Sequence, residues 1–481
     1  MSWGKKKKLI ILYTLTQYII LMLFSKNALS ATNYQMITST GIINYPLRVN
    51  VNFTKNFLRN NLAIGMQDTR PAYSIDAPEY FSLAETCNFK LIRLDISTDW
   101  CGINPCVIWN EEMHSGTYDW MELDAWIEAV KAIGVEPLLS LYGLPLEMDP
   151  LPPGMSVDPA SEESWPLYID DFAKLCSDIV YHLNVEKGYG VKYWEIWGEF
   201  IWYDANSITE FTAIFNTVQA QMHSVDPSIL IGNDNSNRQV IANYYKDNIQ
   251  GLGFASFHLY DTANIAEPEE VLMARASDTK QTWRESTGLY LYTPTEVTTV
   301  LKVPVIISEV NMDSNWNPDP KRNTPFHSAW YAEKLRAFIL DGNISYSLFY
   351  AFADRVNHFG MVSDDYPYKP LWHPYHVNYL IGNSLDVGDL IYESSSDDFE
   401  KVSTLAWRHE TENLLLLIGK TKELTTVKVT LPIQDGTLIN IKHIVTINEY
   451  ESDIEEEIIF YNDPLKIKFN GYSVFLLTIN S

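Results

Sequence analysis

Cysteine, basic residues and long apolar runs are all scarce in this 481-residue chain, and each shortage closes off a class of function. The four cysteines, Cys87, Cys101, Cys106 and Cys176, are too few to frame so long a chain with disulfides. They form no Cys/His cluster of metal-binding spacing, so no metal site and no cofactor are expected. Lys and Arg number 35 against 61 Asp and Glu, a formal net charge of −26. A field of that sign repels nucleic acid and anionic lipid and suits neutral or cationic substrates. Beyond the first thirty residues no stretch is apolar for long enough to span a bilayer. Nor does a glycine-rich phosphate loop follow the first predicted strand, where the chain reads Gly65-Met66-Gln67-Asp68. There is no low-complexity tract.

What is present begins with an export signal. Lys5 to Lys8 form a basic stretch, Leu9 to Phe24 an apolar run, and Ala28-Leu29-Ser30 a small-residue cleavage site. The expectation is a signal peptide over 1–30, a mature chain from Ala31 and a secreted protein, with an uncleaved membrane anchor as the alternative. Cleavage would remove five lysines and no acid, taking the net charge to −31. In an exported chain Cys101 and Cys106, close together in one loop, are the favoured disulfide. Cys87 and Cys176 fall in helical patterns and read as buried thiols. Asn52-Phe53-Thr54 and Asn343-Ile344-Ser345 are glycosylation sequons, relevant only where the host glycosylates.

From Leu62 onward short apolar strands alternate with amphipathic helices, the pattern of parallel βα units. Predicted strands cover Leu62–Met66, Lys90–Ile96, Val135–Leu141, Val191–Trp197, Ile229–Gly232, Phe254–Tyr260, Val303–Ser308 and Ile344–Phe352. Predicted helices lie between them: Ala77–Cys87, Leu123–Ile133, Pro166–Leu183, one starting at Ser207, Gln239–Asn248, Pro268–Glu285 and Phe326–Leu340, with Pro374–Ile381 last. Ser207 is read as an N-cap, with Glu210 three residues on. Eight such units in roughly 320 residues fit an α/β fold of the TIM-barrel kind, a (β/α)8 barrel over 56–383. After Ser384 seven short strand-like runs with turn residues between them predict an antiparallel β-sandwich over 384–481. Residues 31–55 read as strands that join it. The acidic run Glu451–Glu457 is read as a solvated loop.

In a (β/α)8 barrel the C-terminal strand ends share one mouth, where the active site lies. The polar residues ending strands here are Arg93 and Asp95, Glu199, His258 and Tyr260, and Glu309. One Glu at a strand end is most simply a salt bridge or a cap. Two Glu at one mouth, with a His/Tyr pair on the strand between them, are what glycoside hydrolysis needs: one carboxyl protonates the leaving oxygen and the other attacks or stabilises the anomeric carbon. Trp100, Trp202, Trp316 and Phe349 are candidate aromatic walls for sugar rings. Arg93 and Glu195 can equally form a buried ion pair, and His258 can equally be a core residue.

Trp194-Glu195-Ile196-Trp197-Gly198-Glu199 resembles the strand-four motif of clan A glycoside hydrolases, closest to family 39, the β-xylosidase and α-L-iduronidase group. Val305-Ile306-Ile307-Ser308-Glu309 resembles the strand-seven motif, and Phe257-His258-Leu259-Tyr260 is similar to the strand-six segment. The resemblance implies a retaining mechanism on an oligosaccharide, polysaccharide or glycoside. In it Glu199 would be general acid/base and Glu309 nucleophile, with Tyr260 hydrogen-bonded to Glu309. Arg93 would favour the ionised nucleophile, and His258 would line the subsite of the reacting sugar. The clan places Asn directly before the acid/base Glu and usually Pro after it. Here those positions hold Gly198 and Phe200, and the sugar 2-hydroxyl thereby loses its usual partner. A secreted carbohydrate-binding protein on a catalytically degenerate barrel is the alternative, and a cell-surface interaction protein a third.

Overall fold

The computed structural model describes residues 46–68, 78–96, 107–141, 151–159, 165–197, 205–285, 290–354, 359–363, 368–369, 371–448 and 451–479. The predicted signal segment, Cys101, Cys106, Trp100, Gly198, Glu199 and Trp202 lie outside the described residues.

Eight parallel strands close into a barrel: β2 (Ala63–Asp68), β3 (Leu91–Ile96), β6 (Glu136–Leu141), β7 (Tyr193–Ile196), β8 (Leu230–Asn233), β9 (Leu252–Thr262), β10 (Val305–Asp313) and β11 (Ile344–Phe349). The pairing runs β10-β11-β2-β3-β6-β7-β8-β9 and back to β10. Strands buried on both faces need apolar side chains outward as well as inward, and β10 is buried at every position. Between the strands lie helices α1 (Pro78–Thr86), α2 (Met121–Ala132), α3 (Ile169–Val180), α4 (Ala205–Val225), α5 (Gln239–Asn248), α6 (Glu269–Ala276), α7 (Thr282–Glu285), α8 (Pro294–Leu301) and α9 (Pro325–Asp341); α10 (His373–Gly382) follows β11. After β3 the hairpin β4 (Val107–Asn110) and β5 (Ser115–Tyr118) adds a two-stranded ribbon.

The barrel interior is layered. Leu91, Leu138, Phe254, Ile306 and Leu348 fill its lower part as a small apolar cluster, with Tyr193, Leu230 and Tyr346 packed against it. Two glycines make that packing possible. A Cβ on Gly65 would fall 2.1 Å from the Leu91 carbonyl oxygen, and one on Gly232 would fall 2.2 Å from the Phe254 ring. Above this plug, towards the C-terminal strand ends, the inward residues become polar.

The second domain is one nine-stranded sheet, ordered β17-β16-β19-β14-β13-β12-β1-β15-β18. Its strands are β1 (Leu47–Arg59), β12 (Leu390–Ser396), β13 (Val402–His409), β14 (Glu412–Gly419), β15 (Leu424–Thr430), β16 (Leu438–Asn448), β17 (Glu451–Phe460), β18 (Leu465–Asn470) and β19 (Ser473–Ile479). The sheet curls into a sandwich. Edge strand β18 returns over β19, six places away in the order, and the Phe469 and Phe475 rings meet at 4.8 Å. β1 precedes the barrel and yet lies inside this sheet, antiparallel to β12 and parallel to β15.

α9 is buried on nearly every side between barrel and sheet. Its Glu333, fully buried, accepts from Ser277 at 2.8 Å, from Ser403 on β13 and from Arg336 at 3.2 Å, and lies 3.7 Å from Lys420 Nζ. α10 is pinned to the β16–β17 hairpin. His373 meets Thr446 Oγ1 and His376 the Ser452 carbonyl, both at 2.9 Å.

Several sequence expectations need correction. The acidic run Glu451–Glu457 is not a loop but part of β17, an edge strand whose one strand partner among the described residues is β16 and whose Glu455, Glu456 and Glu457 side chains stay in water. The predicted helix Pro268–Glu285 is two helices, α6 and α7, and α8 follows with a capping box of Thr293 and Glu296. Ser207 does not cap α4, which starts at Ala205. Phe349 is not a sugar platform. Its neighbour Leu348 points into the barrel, so Phe349 points outward and packs on Tyr331. The expectation for Cys87 and Cys176, by contrast, is met: both are buried free thiols, pushed well up by burial.

Candidate active site

The inward face of β3 carries Leu91, Arg93 and Asp95 in turn, because side chains alternate along a strand. Arg93 is thereby placed in the barrel axis just above the apolar plug, almost wholly buried. A buried guanidinium must have partners on every nitrogen. Nε donates to Glu195 Oε2 on β7 at 2.6 Å, and Nη1 donates to Gln67 Oε1 at 2.6 Å and to Glu309 Oε1 at 3.0 Å. Nη2 reaches Ser140 Oγ at 3.2 Å and Asp95 Oδ1 at 3.0 Å. Burial opposes the charge on Arg93, but Asp95, Glu195 and Glu309 outweigh it and hold the guanidinium protonated well above its ordinary range. Arg93 pairs with both Glu195 and Glu309.

Glu309 lies within β10, not at the end of a strand stopping at Ser308. The ladder to β9 is irregular between Ile307 and Glu309. A bulge re-aims the side chain beside it, which is how bulges are commonly used near active sites. Glu309 is 7% exposed. Its Oε2 accepts from Tyr260 Oη at 2.5 Å, and His258 Nδ1 stands 3.3 Å from the same oxygen. His258 and Tyr260 sit two apart on β9 and so share its inward face, whereas Asp261 points outward to Trp330 and Lys334. Behind His258, Asp234 Oδ2 lies 3.9 Å from Nε2. Arg93 and Tyr260, one on each oxygen, fix the orientation of this carboxylate, with His258 beside it.

The strand ends around Glu309 are braced. His327 accepts from the Asn323 N–H at Nδ1, so Nε2 carries the proton and donates to Asn311 Oδ1 at 3.1 Å. The Asn311 amide in turn donates to the carbonyls of Tyr350 and Phe359. An aromatic path leads outward from Tyr260 to Tyr350, Phe359 and Trp316, with centroid spacings of 6.3, 5.6 and 5.5 Å. Trp316, at the outer end, is 66% exposed.

Of the residues picked from sequence, Arg93, His258 and Tyr260 each come within hydrogen-bond or ion-pair range of Glu309. Trp316 stands further out. The described part of strand four ends at Trp197, two residues before Glu199. Trp197 is fully buried against Trp165 at 4.8 Å and Phe172 at 5.3 Å. Its N–H donates to the Leu141 carbonyl, and its φ of 59° is the left-handed conformation that bulky residues avoid. Gln67, Ser140 and Asp234 escaped the sequence reading. Gln67 could have been found by counting two residues on from inward Gly65.

No protein-family model matches the sequence, and no curated protein matches it. Among solved structures the chain is similar to a monomeric β-xylosidase from Caulobacter crescentus CB15, with a TM-score of 0.62 and 12% identity over 90% of this chain and 99% of that one. It is similar to an α-L-arabinofuranosidase from Thermotoga maritima, with a TM-score of 0.64 and 11% identity over 90% and 100%. It is also similar to CelM2, a bifunctional glucanase-xylanase from a metagenome library, with a TM-score of 0.61 and 12% identity over 91% and 99%. These neighbours are glycoside hydrolases, and at such identities the likeness establishes the shared fold.

Proposed function

We propose that the protein is a secreted retaining glycoside hydrolase of the clan A kind. The observation that supports this most directly is the convergence of Arg93, Tyr260 and His258 on the single carboxylate of Glu309 at the barrel mouth. That arrangement suits a nucleophile. The carboxylate is aimed from both oxygens, and Tyr260 can release its hydrogen bond as Glu309 bonds to the anomeric carbon. In the first step Glu199 gives its proton to the leaving oxygen while Glu309 Oε forms an ester to the sugar. In the second, Glu199 takes a proton from water, which attacks the anomeric carbon and frees Glu309. Trp100, Trp202 and Trp316 are assigned to the walls that receive flat sugar faces, and His258 to the subsite of the reacting ring. Export rests on the basic and apolar segments ahead of Ala31.

The test is turnover of a panel of aryl β-glycosides and α-L-arabinofuranosides, run beside Glu309→Ala. Hydrolysis by the wild type that Glu309→Ala loses supports the reading. A second reading, a carbohydrate-binding protein on a degenerate barrel, is favoured by Gly198 in place of the clan's Asn. Sugar binding without any turnover would establish it.

A further inference from the structure

Asp95 has no part in the chemistry above, yet it is the most open of the carboxylates that meet Arg93. Its side chain is 38% exposed, against 9% for Glu309 and none for Glu195. It is also rigidly held. Oδ1 faces Arg93 Nη2 at 3.0 Å, and Oδ2 accepts from Gln67 Nε2 at 2.7 Å. Gln67 is itself clamped by Arg93 through its other amide atom, so the carboxylate cannot turn without breaking a closed triangle. Each Asp95 oxygen therefore retains acceptor capacity with its direction fixed from behind.

Position matters as much as orientation. Asp95 and Glu309 take the two neighbouring terminal nitrogens of one guanidinium. A sugar ring seated with its anomeric carbon on Glu309 would bring its ring hydroxyls alongside Asp95. Among the described residues the local charge is lopsided, since Arg93 faces three carboxylates, Asp95, Glu195 and Glu309. Hydroxyl donors are welcome in such a field. A ring bearing its own carboxylate is not, because like charges brought together out of water repel strongly.

We propose, resting on the hydrolase reading for where the sugar sits, that Asp95 is a specificity-determining residue. It accepts hydrogen bonds from hydroxyls of the ring held at Glu309, and it confines that position to neutral sugars, excluding uronic acids. A purely structural Asp95, serving only as counter-ion to Arg93, would instead affect every ligand alike.

Three probes separate these roles: phenyl 1-thio-β-D-xyloside, -glucoside and -glucuronide, which share a ring and differ only at C5. Their sulfur linkage resists hydrolysis, so calorimetric titration needs no turnover. Wild-type protein should bind the xyloside or glucoside at least about tenfold more tightly than the glucuronide, and salt should narrow the gap. Asp95→Asn should weaken the neutral ligands by about 10- to 100-fold, the range of a lost charged hydrogen bond, and shrink the discrimination against the glucuronide. The proposal is overturned if the wild type binds none of the three, or binds the glucuronide as well as the glucoside. It is equally overturned if Asp95→Asn weakens all three by the same factor. Discrimination without turnover of the matching oxygen glycosides would sink the hydrolase reading and leave Asp95's role standing. Discrimination by the wild type needs no variant to fold.

Discussion

Tyr260 Oη lies 2.5 Å from Glu309 Oε2, while the other oxygen of Glu309 is held by Arg93 at 3.0 Å. The phenol is a neutral donor to an anion, a bond to a charged partner of about 1.5–3 kcal/mol. Tyr260→Phe removes that donor and keeps the ring against Tyr350. Turnover should fall by one to two decades, with the folded state intact by circular dichroism. Unchanged turnover would separate Tyr260 from the chemistry.

Arg93 is the common counter-ion of Asp95, Glu195 and Glu309, and Glu195 is wholly buried. Arg93→Met keeps the unbranched stem of the side chain as far as Nε but strands these carboxylates together. Removing one partner of a buried ion pair costs about 3–5 kcal/mol. Urea unfolding should show a loss of that size, with activity abolished. The double variant Arg93→Met/Glu195→Leu should recover part of the stability and none of the activity.

The contact between α10 and the sheet sets an acid limit. Burial pushes His373 down from 6.5 to about 4, and His376 moves in the same direction for the same reason. His327, buried beside Arg322, lies well below its ordinary value. Below pH 6.5 the unfolded chain takes up protons that these folded imidazoles refuse. Their stabilisation is thus complete above 6.5 and drains away as pH falls towards 4. His373 alone accounts for roughly 3 kcal/mol at 1.36 kcal/mol per pH unit. Unfolding midpoints measured from pH 7 to 4 should fall, and His373→Gln should flatten the slope.

Most of this site was legible as a count along strands. Arg93 and Asp95 stand two apart, as do His258 and Tyr260, and their apolar neighbours Leu94 and Leu259 face the helices. The same count places Phe349 outward, opposite to its neighbour Leu348. The parts that escaped depend on neighbours distant in sequence. Gln67 and Ser140 carry no charge to advertise them and gain their roles only through the register of β2, β3 and β6. β17 hid because an edge strand needs only one paired side and can carry Glu455, Glu456 and Glu457 in a row. The break between α6 and α8 was legible in retrospect, since Thr293-Pro294 followed by Glu296 is a helix start.

A retaining mechanism needs the two carboxyl groups about 5–5.5 Å apart, and inversion needs more room for a water. The first product of an active substrate should therefore keep its anomeric configuration when followed by proton NMR. An activated 2-fluoro glycoside should leave a covalent label on Glu309. An inverted product would remove Glu309 from the role of nucleophile.

Gly198 poses the sharpest question about the substrate. Glycine has no side chain to meet the 2-hydroxyl, the group that Asn meets in the clan the sequence resembles. One transition-state hydrogen bond, if charge-assisted, is worth roughly 1.5–3 kcal/mol, or about one to two decades in rate. That is small beside catalysis as a whole, so the wild type should still hydrolyse some glycoside, with another polar group reaching the reacting sugar. His258, only 3.3 Å from Glu309 Oε2, is well placed to be that group. Comparing wild type with Gly198→Asn on gluco-, xylo- and manno-configured aryl glycosides tests this. A gain in Gly198→Asn confined to equatorial 2-hydroxyls would mean that the natural substrate differs at that carbon. A gain on all three would mean a general weakness that Asn repairs. Absence of turnover in both proteins, with sugars still bound, would leave the barrel as a binding scaffold whose Glu309 cluster has outlived its chemistry.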